Sequence, residues 1–191
     1  MPSLSQHQPP LAIVVMGVAG SGKTIVGEGL SSRLSLPFLD GDRFHPPANI
    51  AKMSAGTPLV DADRWPWLDA IGHALGEAAR TSGGAIAACS ALKRAYRQRL
   101  TAAARLPLVF VFLNGSRETL AARLAERKNH FMPKSLLDSQ LATLERPGAD
   151  EPVVHVSFEP PPAAVIDAAA AGLTAFSPNR RPADSPASPV D

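Results

Sequence analysis

The stretch GVAGSGKT at residues 17–24 decides the fold, because it fits the pattern G-x-x-x-x-G-K-[S/T] between two regular elements. Before it, the apolar run 11–16 predicts a strand. After it, Val26, Leu30 and Leu34 recur at i, i+4 and i+8, which predicts a helix with one buried face. A glycine-rich turn in this setting lets backbone N–H groups surround an anion, and the helix N-terminus adds positive potential. The stretch therefore predicts a polyphosphate site.

Two side chains of this phosphate loop have predicted roles. Lys23 bridges the β- and γ-phosphates of a nucleoside triphosphate as a point charge, and the hydroxyl of Thr24 ligates Mg²⁺. A glycine-rich turn with an incidental lysine is the alternative, and the strand before the loop and the helix after it disfavour that alternative. The predicted ATP-binding residues of the loop are Gly17, Val18, Ala19, Gly20, Ser21, Gly22, Lys23 and Thr24.

Short apolar runs alternate with amphipathic segments along the rest of the chain. The predicted strands are 11–16, 38–39, 85–89, 108–113 and 153–158. The predicted helices after the first are 66–82, 92–104, 117–128, 135–145 and 162–173. Several strands lack polar alternation, as parallel strands buried on both faces do. The order predicts an α/β fold of three layers around a five-stranded, mainly parallel sheet.

Length and composition argue against a disordered chain and against a membrane protein. The chain has 191 residues, of which 45% are hydrophobic, and its mean hydropathy is +0.01. These values predict one globular domain over 11–173, with disordered tails at 1–10 and at the Pro/Ser/Ala-rich 174–191. No apolar run approaches the roughly 18 residues that a membrane helix needs, and residues 1–10 lack the pattern of a signal peptide.

The charge balance and the single cysteine restrict location and partners. A formal net charge of +2 gives no overall attraction to nucleic acid, which we therefore do not expect as a partner. Cys89 alone cannot form an internal disulfide or a cysteine-based zinc site, and we expect it to be a buried strand residue. A single cysteine fits a reducing compartment, and together with the missing signal-peptide pattern and the missing long apolar run it leads us to expect a cytoplasmic protein without membrane attachment.

The acidic residues after the second strand separate the nucleotide-binding classes. A GTPase would carry N-K-x-D, which does not occur, and the D-x-x-G string at 69–72 lies in a predicted helix. The third strand ends without the carboxylate typical of ATPase motors. Instead, Asp40 and Asp42 lie two apart at the carboxyl end of strand two, so they share a face at the edge where α/β sheets bind ligands. We predict that Asp40 holds Mg²⁺ through water and that Asp42 is the general base; capping of the turn is the alternative.

The most specific stretch is DGDRFHPPANIAKMSAGTPLVDADRWPWL at residues 40–68. It resembles the gluconokinases, whose pattern D-G-D-x-x-H-P-x-x-N-x-x-K-M-x-x-G-x-P-L-x-D-x-D-R-x-P-W-L it matches at every fixed position. The resemblance continues in CSALKRAYR at 89–97, in RLAERKNHFM at 123–132 and in parts of 135–147, and it covers about residues 11–173. It implies a P-loop kinase fold with a mobile lid.

The resemblance also implies a reaction. The family transfers the γ-phosphate of Mg·ATP to O6 of D-gluconate, giving 6-phospho-D-gluconate and ADP, and commonly forms homodimers. By the same resemblance Arg123 packs on the adenine ring, and Arg127 reaches the transferring phosphoryl group. Lys23, Asp42 and Arg127 are then the expected catalytic residues.

The inventory of side chains in 40–97 suits such a substrate on independent grounds. Gluconate carries one carboxylate and five hydroxyls, so its pocket needs a cation and many hydrogen-bonding groups. The predicted substrate-binding residues are Asp42, His45, Asn49, Lys52, Arg64, Ser90, Lys93 and Arg97. For the carboxylate we favour Arg64 and Arg97, since a guanidinium binds a carboxylate through two parallel hydrogen bonds. His45 remains open between a ligand contact and a packing role.

Two rival functions stay open at the level of sequence. The first is a kinase of the same scaffold for another small hydroxy acid or for a nucleoside monophosphate. The second is a non-catalytic regulatory protein that binds nucleotide. The intact set Lys23, Thr24, Asp42 and Arg127 disfavours the second.

Overall fold

The computed structural model describes residues 10–126 and 134–176, whose centre is a five-stranded sheet. The strands are β1 (Leu11–Met16), β2 (Phe38–Asp40), β3 (Gly84–Ala88), β4 (Leu108–Asn114) and β5 (Val153–Ser157). They lie in the order β2-β3-β1-β4-β5, and every neighbouring pair is parallel. The predicted five-stranded parallel sheet is confirmed. Because β1 is the central strand, the loop that follows it opens at the middle of the carboxyl edge.

Seven helices are described around this sheet. They are α1 (Lys23–Leu34), α2 (Pro47–Ser54), α3 (Asp61–Ser82), α4 (Arg94–Ala104), α5 (Arg117–Glu126), α6 (Lys134–Thr143) and α7 (Pro162–Ala175), with a 3₁₀ turn at Gly41–Phe44. Helices α3 and α4 pack together on one face, and α1 and α7 pack together on the other. The architecture is therefore three-layered, as predicted.

The core is divided between the two faces of the sheet, because successive side chains of a strand point in opposite directions. Val14 of β1 belongs to the buried cluster that contains Leu68 of α3. Its neighbour Ile13 belongs to the opposite cluster, with Leu30 of α1 and Val165 of α7. Burying a side chain of this size contributes about 1.5–3 kcal/mol. The two clusters fix α1 and α3 against opposite sides of β1.

Helix α3 begins five residues earlier than predicted, at Asp61 rather than at Pro66. The prediction took Pro66 as the first helical residue, where proline is most common. In the structure Asp63 Oδ2 accepts the backbone N–H of Val60 at 3.0 Å, so an acidic side chain caps the helix before the proline. The earlier start places Asp61 and Asp63 in the first turn.

Sequence patterns also missed the 3₁₀ turn and α2, which lie between β2 and α3. Proline is common at the first helical position, so Pro47 was the available signal. At the other end of the chain α7 continues to Ala175, two residues past its predicted end.

Some predictions fall outside the described residues. The N-terminal tail, most of the C-terminal tail and the lid segment that includes Arg127 belong to this group. None of the helices in the described ranges combines the length and the apolar character that a membrane span requires.

Candidate active site

The phosphate loop joins β1 to α1 through glycines with positive φ. Gly17 has φ +149°, and a Cβ there would lie 2.8 Å from Ser21 Oγ and 2.9 Å from the carbonyl oxygen of Leu113. Gly22 has φ +93°, and a Cβ there would meet no atom within 4 Å. Gly17 therefore lets the loop close tightly on β4, while Gly22 borders the open space beside the N-terminus of α1.

The peptide unit between Val18 and Ala19 is held at both ends. The carbonyl oxygen of Val18 accepts hydrogen bonds from Lys23 Nζ at 3.1 Å and from the backbone N–H of Ser21 at 3.3 Å. The N–H of Ala19 donates to Gln140 Oε1 of α6 at 2.7 Å. Ser21 Oγ is buried and has no hydrogen-bond partner among the described residues. The loop thus holds the ammonium group of Lys23 near its own backbone and encloses one buried polar atom.

A cleft of about 350 Å³ adjoins the phosphate loop. The residues that line it include 20–22 of the loop together with Ile25, Arg123, Phe158, Pro160 and Pro162. Arg123 Nη2 donates to the carbonyl oxygen of Phe158 at 2.6 Å, and the guanidinium lies 5.2 Å from the centre of the Phe158 ring. A flat cation and an aromatic ring next to a phosphate site suit the base of a nucleotide. Arg123 was predicted here; the residues after β5 were not.

The two acids after β2 have different environments. Asp40 Oδ1 accepts the backbone N–H of Asp42 at 3.1 Å and so caps the 3₁₀ turn. The side chain of Asp42 is exposed and accepts no hydrogen bond from any described residue. The capping alternative therefore applies to Asp40 and not to Asp42.

The carboxyl ends of β1 and β2 lie beside the end of β3, since Val15 and Asp40 are both paired in register with Ala88. Burial raises the pKa of the Cys89 thiol to about 12, and the charges of Lys23, Asp42 and Arg64 act on the same thiol. These three groups come from α1, the 3₁₀ turn and α3. Ser90 follows Cys89, and its carbonyl oxygen accepts the backbone N–H of Gly17 at 3.3 Å. The phosphate loop and the predicted substrate residues thus meet at one edge of the sheet.

The first turn of α3 pairs two of the predicted lysines with acids that sequence reasoning missed. Lys93 Nζ lies 2.8 and 2.9 Å from the two oxygens of Asp61, which also accepts Tyr96 Oη at 2.5 Å. Lys52 Nζ lies 2.6 Å from Asp63 Oδ1. The hydrogen bond from Lys93, followed by that from Tyr96, lowers the pKa of Asp61. The only signal for these acids was their position just before a helical pattern.

Next to this turn, His45 and Asn49 form a partly buried polar pair. Asn49 is 3% exposed, and its Nδ2 lies 2.9 Å from the carbonyl oxygen of Asp63 and 3.4 Å from His45 Nδ1. The His45 ring stacks on Trp67 with centroids 4.2 Å apart, and Trp67 Nε1 donates to the carbonyl oxygen of Gly41 at 2.8 Å. Trp67 is 2% exposed and belongs to the core, and His45 packs on it.

Arg97, which was predicted to bind substrate, lies in a buried ion pair. Arg97 is 2% exposed, and its Nε and Nη2 lie 2.6 and 2.8 Å from the two carboxylate oxygens of Glu151. Its Nη1 donates to the carbonyl oxygens of Ala91 at 3.2 Å and Glu145 at 3.1 Å. The predicted helix 92–104 included both Lys93 and Arg97, but Lys93 lies just before α4 and Arg97 is buried within the protein.

Arg64 has a different environment from the other cations. Its guanidinium lies 5.7 Å from the centre of the Tyr96 ring, and Nη2 donates to the carbonyl oxygen of Leu59 at 3.3 Å. No acidic side chain within the described ranges forms an ion pair with it. Arg127, the remaining predicted catalytic residue, lies outside those ranges.

His45 is expected to make stability sensitive to acid. Burial is the main cause that lowers the pKa of His45; the charge of Asp42 opposes this effect and that of Arg64 adds to it. Because the folded state binds the proton more weakly than the unfolded state, this contribution is fully present above about pH 6.5 and is lost progressively below it. His45→Gln should therefore reduce the fall of Tm between pH 7 and pH 5. His73→Gln, exposed on α3, is the control; an equal effect of both substitutions would contradict the assignment.

The comparisons with known proteins agree with this geometry. A family model described as an AAA domain matches residues 13–147. A gluconokinase from Gluconobacter oxydans (strain 621H) is 53% identical over 158 residues, which cover 83% of this chain and 88% of that protein. The crystal structure of a gluconokinase from Sinorhizobium meliloti 1021 shares 48% identity and a TM-score of 0.79, covering 90% of this chain and 96% of that one. An unliganded sugar kinase from Janibacter sp. HTCC2649 shares 42% identity and a TM-score of 0.81, with coverages of 89% and 97%.

The relatives are similar along nearly their whole lengths, and the predicted resemblance of residues 40–68 to this family is confirmed. The P-loop kinase fold that the resemblance implies is confirmed with it. The chain belongs to the gluconokinase family.

Proposed function

We propose that this enzyme transfers the γ-phosphate of Mg·ATP to O6 of D-gluconate, giving 6-phospho-D-gluconate and ADP. The observation that carries the proposal is that the phosphate loop after β1, Asp42 after β2 and Ser90 after β3 lie at the same edge of the parallel sheet, where the carbonyl oxygen of Ser90 accepts the backbone N–H of Gly17. The relatives named gluconokinases support the identity of the acceptor.

The nucleotide occupies the phosphate loop and the cleft beside it. The backbone of 17–24 and Lys23 hold the phosphates, and the base lies against Arg123 and Phe158. The open space at Gly22 and the buried, unpartnered Ser21 Oγ, both among the described residues, support this placement. Arg127, by family resemblance, stabilises the transferring phosphoryl group.

Magnesium fits the oxygen atoms available at this edge. Thr24 is exposed at the start of α1, and Asp40 uses one carboxylate oxygen as a cap. A Mg²⁺ ion held mainly by phosphates and water needs only one or two protein oxygens, so Thr24 would bind it directly and Asp40 through water. When bound, the ion offsets negative charge on the phosphates.

Asp42 receives the proton of the attacking hydroxyl. As the O6–P bond forms, the carboxylate of Asp42 accepts the O6 proton, and the bond from phosphorus to the β–γ bridging oxygen breaks to release ADP. Its exposure and its lack of a hydrogen-bond donor among the described residues leave this carboxylate able to do so.

Arg64 is the group that binds the gluconate carboxylate. Three of the four predicted cations are paired with acids: Lys52 with Asp63, Lys93 with Asp61 and Arg97 with Glu151. Arg64 donates only to a carbonyl oxygen within the part of the chain that the structure describes, and a guanidinium suits a carboxylate. The hydroxyls would then contact His45, Asn49, Ser90 and the lysine–acid pairs at the start of α3.

Arg64→Lys is expected to raise the KM for gluconate about 10- to 100-fold while kcat changes little. A charge-assisted hydrogen bond contributes about 1.5–3 kcal/mol, and each 1.4 kcal/mol corresponds to a factor of about ten. Steady-state kinetics with gluconate as the varied substrate measures this effect. Arg99→Lys is the matched control, because Arg99 pairs with Asp69 on an exposed surface. An unchanged KM in Arg64→Lys and Arg64→Ala would contradict the role.

The function itself is tested by ADP release with Mg²⁺ and ATP in parallel reactions with D-gluconate, shikimate, glycerate, other sugar acids and nucleoside monophosphates. We expect a rate that depends on gluconate and is lost in Lys23→Ala. Turnover only with another acceptor would support a kinase activity but contradict gluconate as its substrate. No turnover despite ATP binding would favour a regulatory protein.

We also propose that the enzyme is a homodimer and acts in the cytoplasm. The family resemblance supports the dimer, and the single buried Cys89 suits a reducing compartment. Light scattering after size exclusion measures the mass in solution; a mass of about 20 kDa would reject the dimer.

A further inference from the structure

Gln140 connects a distant helix to the phosphate loop. Its Oε1 accepts the N–H of Ala19 at 2.7 Å, across 121 residues of sequence. We infer that Gln140 is a positioning residue for Lys23, which it orients through the peptide unit between Val18 and Ala19. This inference rests on the proposed function, in which Lys23 contacts the transferring phosphate.

The peptide unit between Val18 and Ala19 is planar, so the hydrogen bonds at its two ends are geometrically coupled. In a trans peptide the C=O and N–H point in opposite directions and turn together as one plane. The carbonyl end at Val18 accepts Lys23 Nζ, and the N–H end at Ala19 donates to Gln140. A rotation of this plane therefore breaks both hydrogen bonds together. By accepting the Ala19 N–H, Gln140 Oε1 fixes the direction of the Val18 carbonyl oxygen, to which Lys23 Nζ donates.

Gln140 itself is held in place by the packing of α6. Leu137 is buried in the core, and Leu141 and Leu144 pack against the same cluster. After the helix, the backbone N–H of Glu145 donates to the carbonyl oxygen of Leu92 at 2.9 Å. Both sides of Gln140 are therefore anchored, so its amide is presented to the phosphate loop from a fixed position.

The orientation of the amide follows from its partner. Because Ala19 offers an N–H donor, the oxygen of Gln140 faces the loop, and no described residue accepts a hydrogen bond from Nε2. The contribution of Gln140 is therefore one acceptor atom. Methionine has nearly the same length and shape but a poor acceptor in that position, so Gln140→Met removes the hydrogen bond with little change in volume.

Gln140→Met is expected to lower kcat about three- to tenfold, with the KM for gluconate changed less than twofold and Tm lowered by only about 1–6 °C. The size follows from the net worth of one hydrogen bond, about 0.5–1.5 kcal/mol. A residue that only stabilised the fold would change Tm and leave kcat of the folded enzyme intact. The control is Asp138→Asn, which breaks the exposed ion pair of α6 with Arg117 and does not contact the loop. A parental kcat in Gln140→Met would overturn the inference.

Nuclear magnetic resonance of the nucleotide-free protein tests the same contact without any substrate. In the parent protein the Ala19 amide should exchange slowly with solvent; rapid exchange would overturn the inference even if Gln140→Met failed to fold. In Gln140→Met we expect the Ala19 amide and the Lys23 side-chain resonances both to shift, and neither to shift in Asp138→Asn. Unchanged Lys23 side-chain resonances in Gln140→Met would also overturn the inference. Absence of gluconate turnover in the parent would reject the proposed function alone, since these spectra do not depend on it.

Discussion

Asp42→Asn is expected to lower kcat for gluconate phosphorylation by about 10²- to 10⁴-fold, the range that loss of a general base produces. Asparagine has the shape of aspartate but cannot accept the O6 proton, so the defect should lie in the chemical step. The exposed Asp42 side chain has no hydrogen-bond partner among the described residues, so the substitution breaks no contact that they make. Steady-state kinetics with saturating gluconate and ATP measures the change.

Two comparisons separate this role from a binding role. Calorimetry should show nearly parental affinities for ATP and gluconate in Asp42→Asn. Asp69→Asn, which removes an exposed partner of Arg99 on α3, is the matched control and should retain parental kcat. A kcat for Asp42→Asn within tenfold of the parent would assign Asp42 to substrate binding only.

Local pattern was sufficient to predict the phosphate loop and the sheet. The glycines of 17–24, the apolar run before them and the helical repeat after them all lie within about 25 residues, so their structure depends on neighbours in sequence. The continuous apolar strands are similarly local, because a strand buried on both faces needs no polar alternation. These signals were enough for the fold class and for Lys23.

The pairing of cations with acids could not be predicted in the same way. Lys93 and Asp61 lie 32 residues apart, and Arg97 and Glu151 lie 54 apart, so each pair forms only when the fold brings two elements together. The pattern of residue types predicts a set of four cations in the pocket. Only the structure distinguishes Arg64 from the three that already have acidic partners.

Helix α3 shows how one misplaced boundary hides part of a site. Starting the helix at Pro66 left Asp61 and Asp63 in a presumed loop, where they had no defined direction. In the structure both lie in the first turn, where carboxylates interact favourably with the helix N-terminus. That position also directs them to Lys93 and Lys52. Their position in the first turn of α3, rather than residue type alone, brings them to these two lysines.

Arg97→Met is expected to destabilise the protein by about 3–5 kcal/mol, because it leaves the carboxylate of Glu151 buried without its partner. The side chains of Arg97 and Glu151 are 2% and 9% exposed. The ion pair also fixes the chain around Ala91 and Glu145, whose carbonyl oxygens accept hydrogen bonds from Arg97. Urea denaturation measures the loss. Arg99→Met, which breaks an exposed pair, should cost about 0–1 kcal/mol.

A double variant decides between the structural role of Arg97 and the predicted contact of Arg97 with the substrate. Replacing both partners with apolar residues, as in Arg97→Met with Glu151→Leu, should recover most of the stability, since no buried charge is then left unpaired. At a temperature where this double variant is folded, its KM for gluconate should equal that of the parent, because the guanidinium is enclosed by protein. A tenfold higher KM for gluconate in the fully folded double variant would show that the gluconate carboxylate reaches Arg97. Arg64 and Arg97 would then bind that carboxylate together.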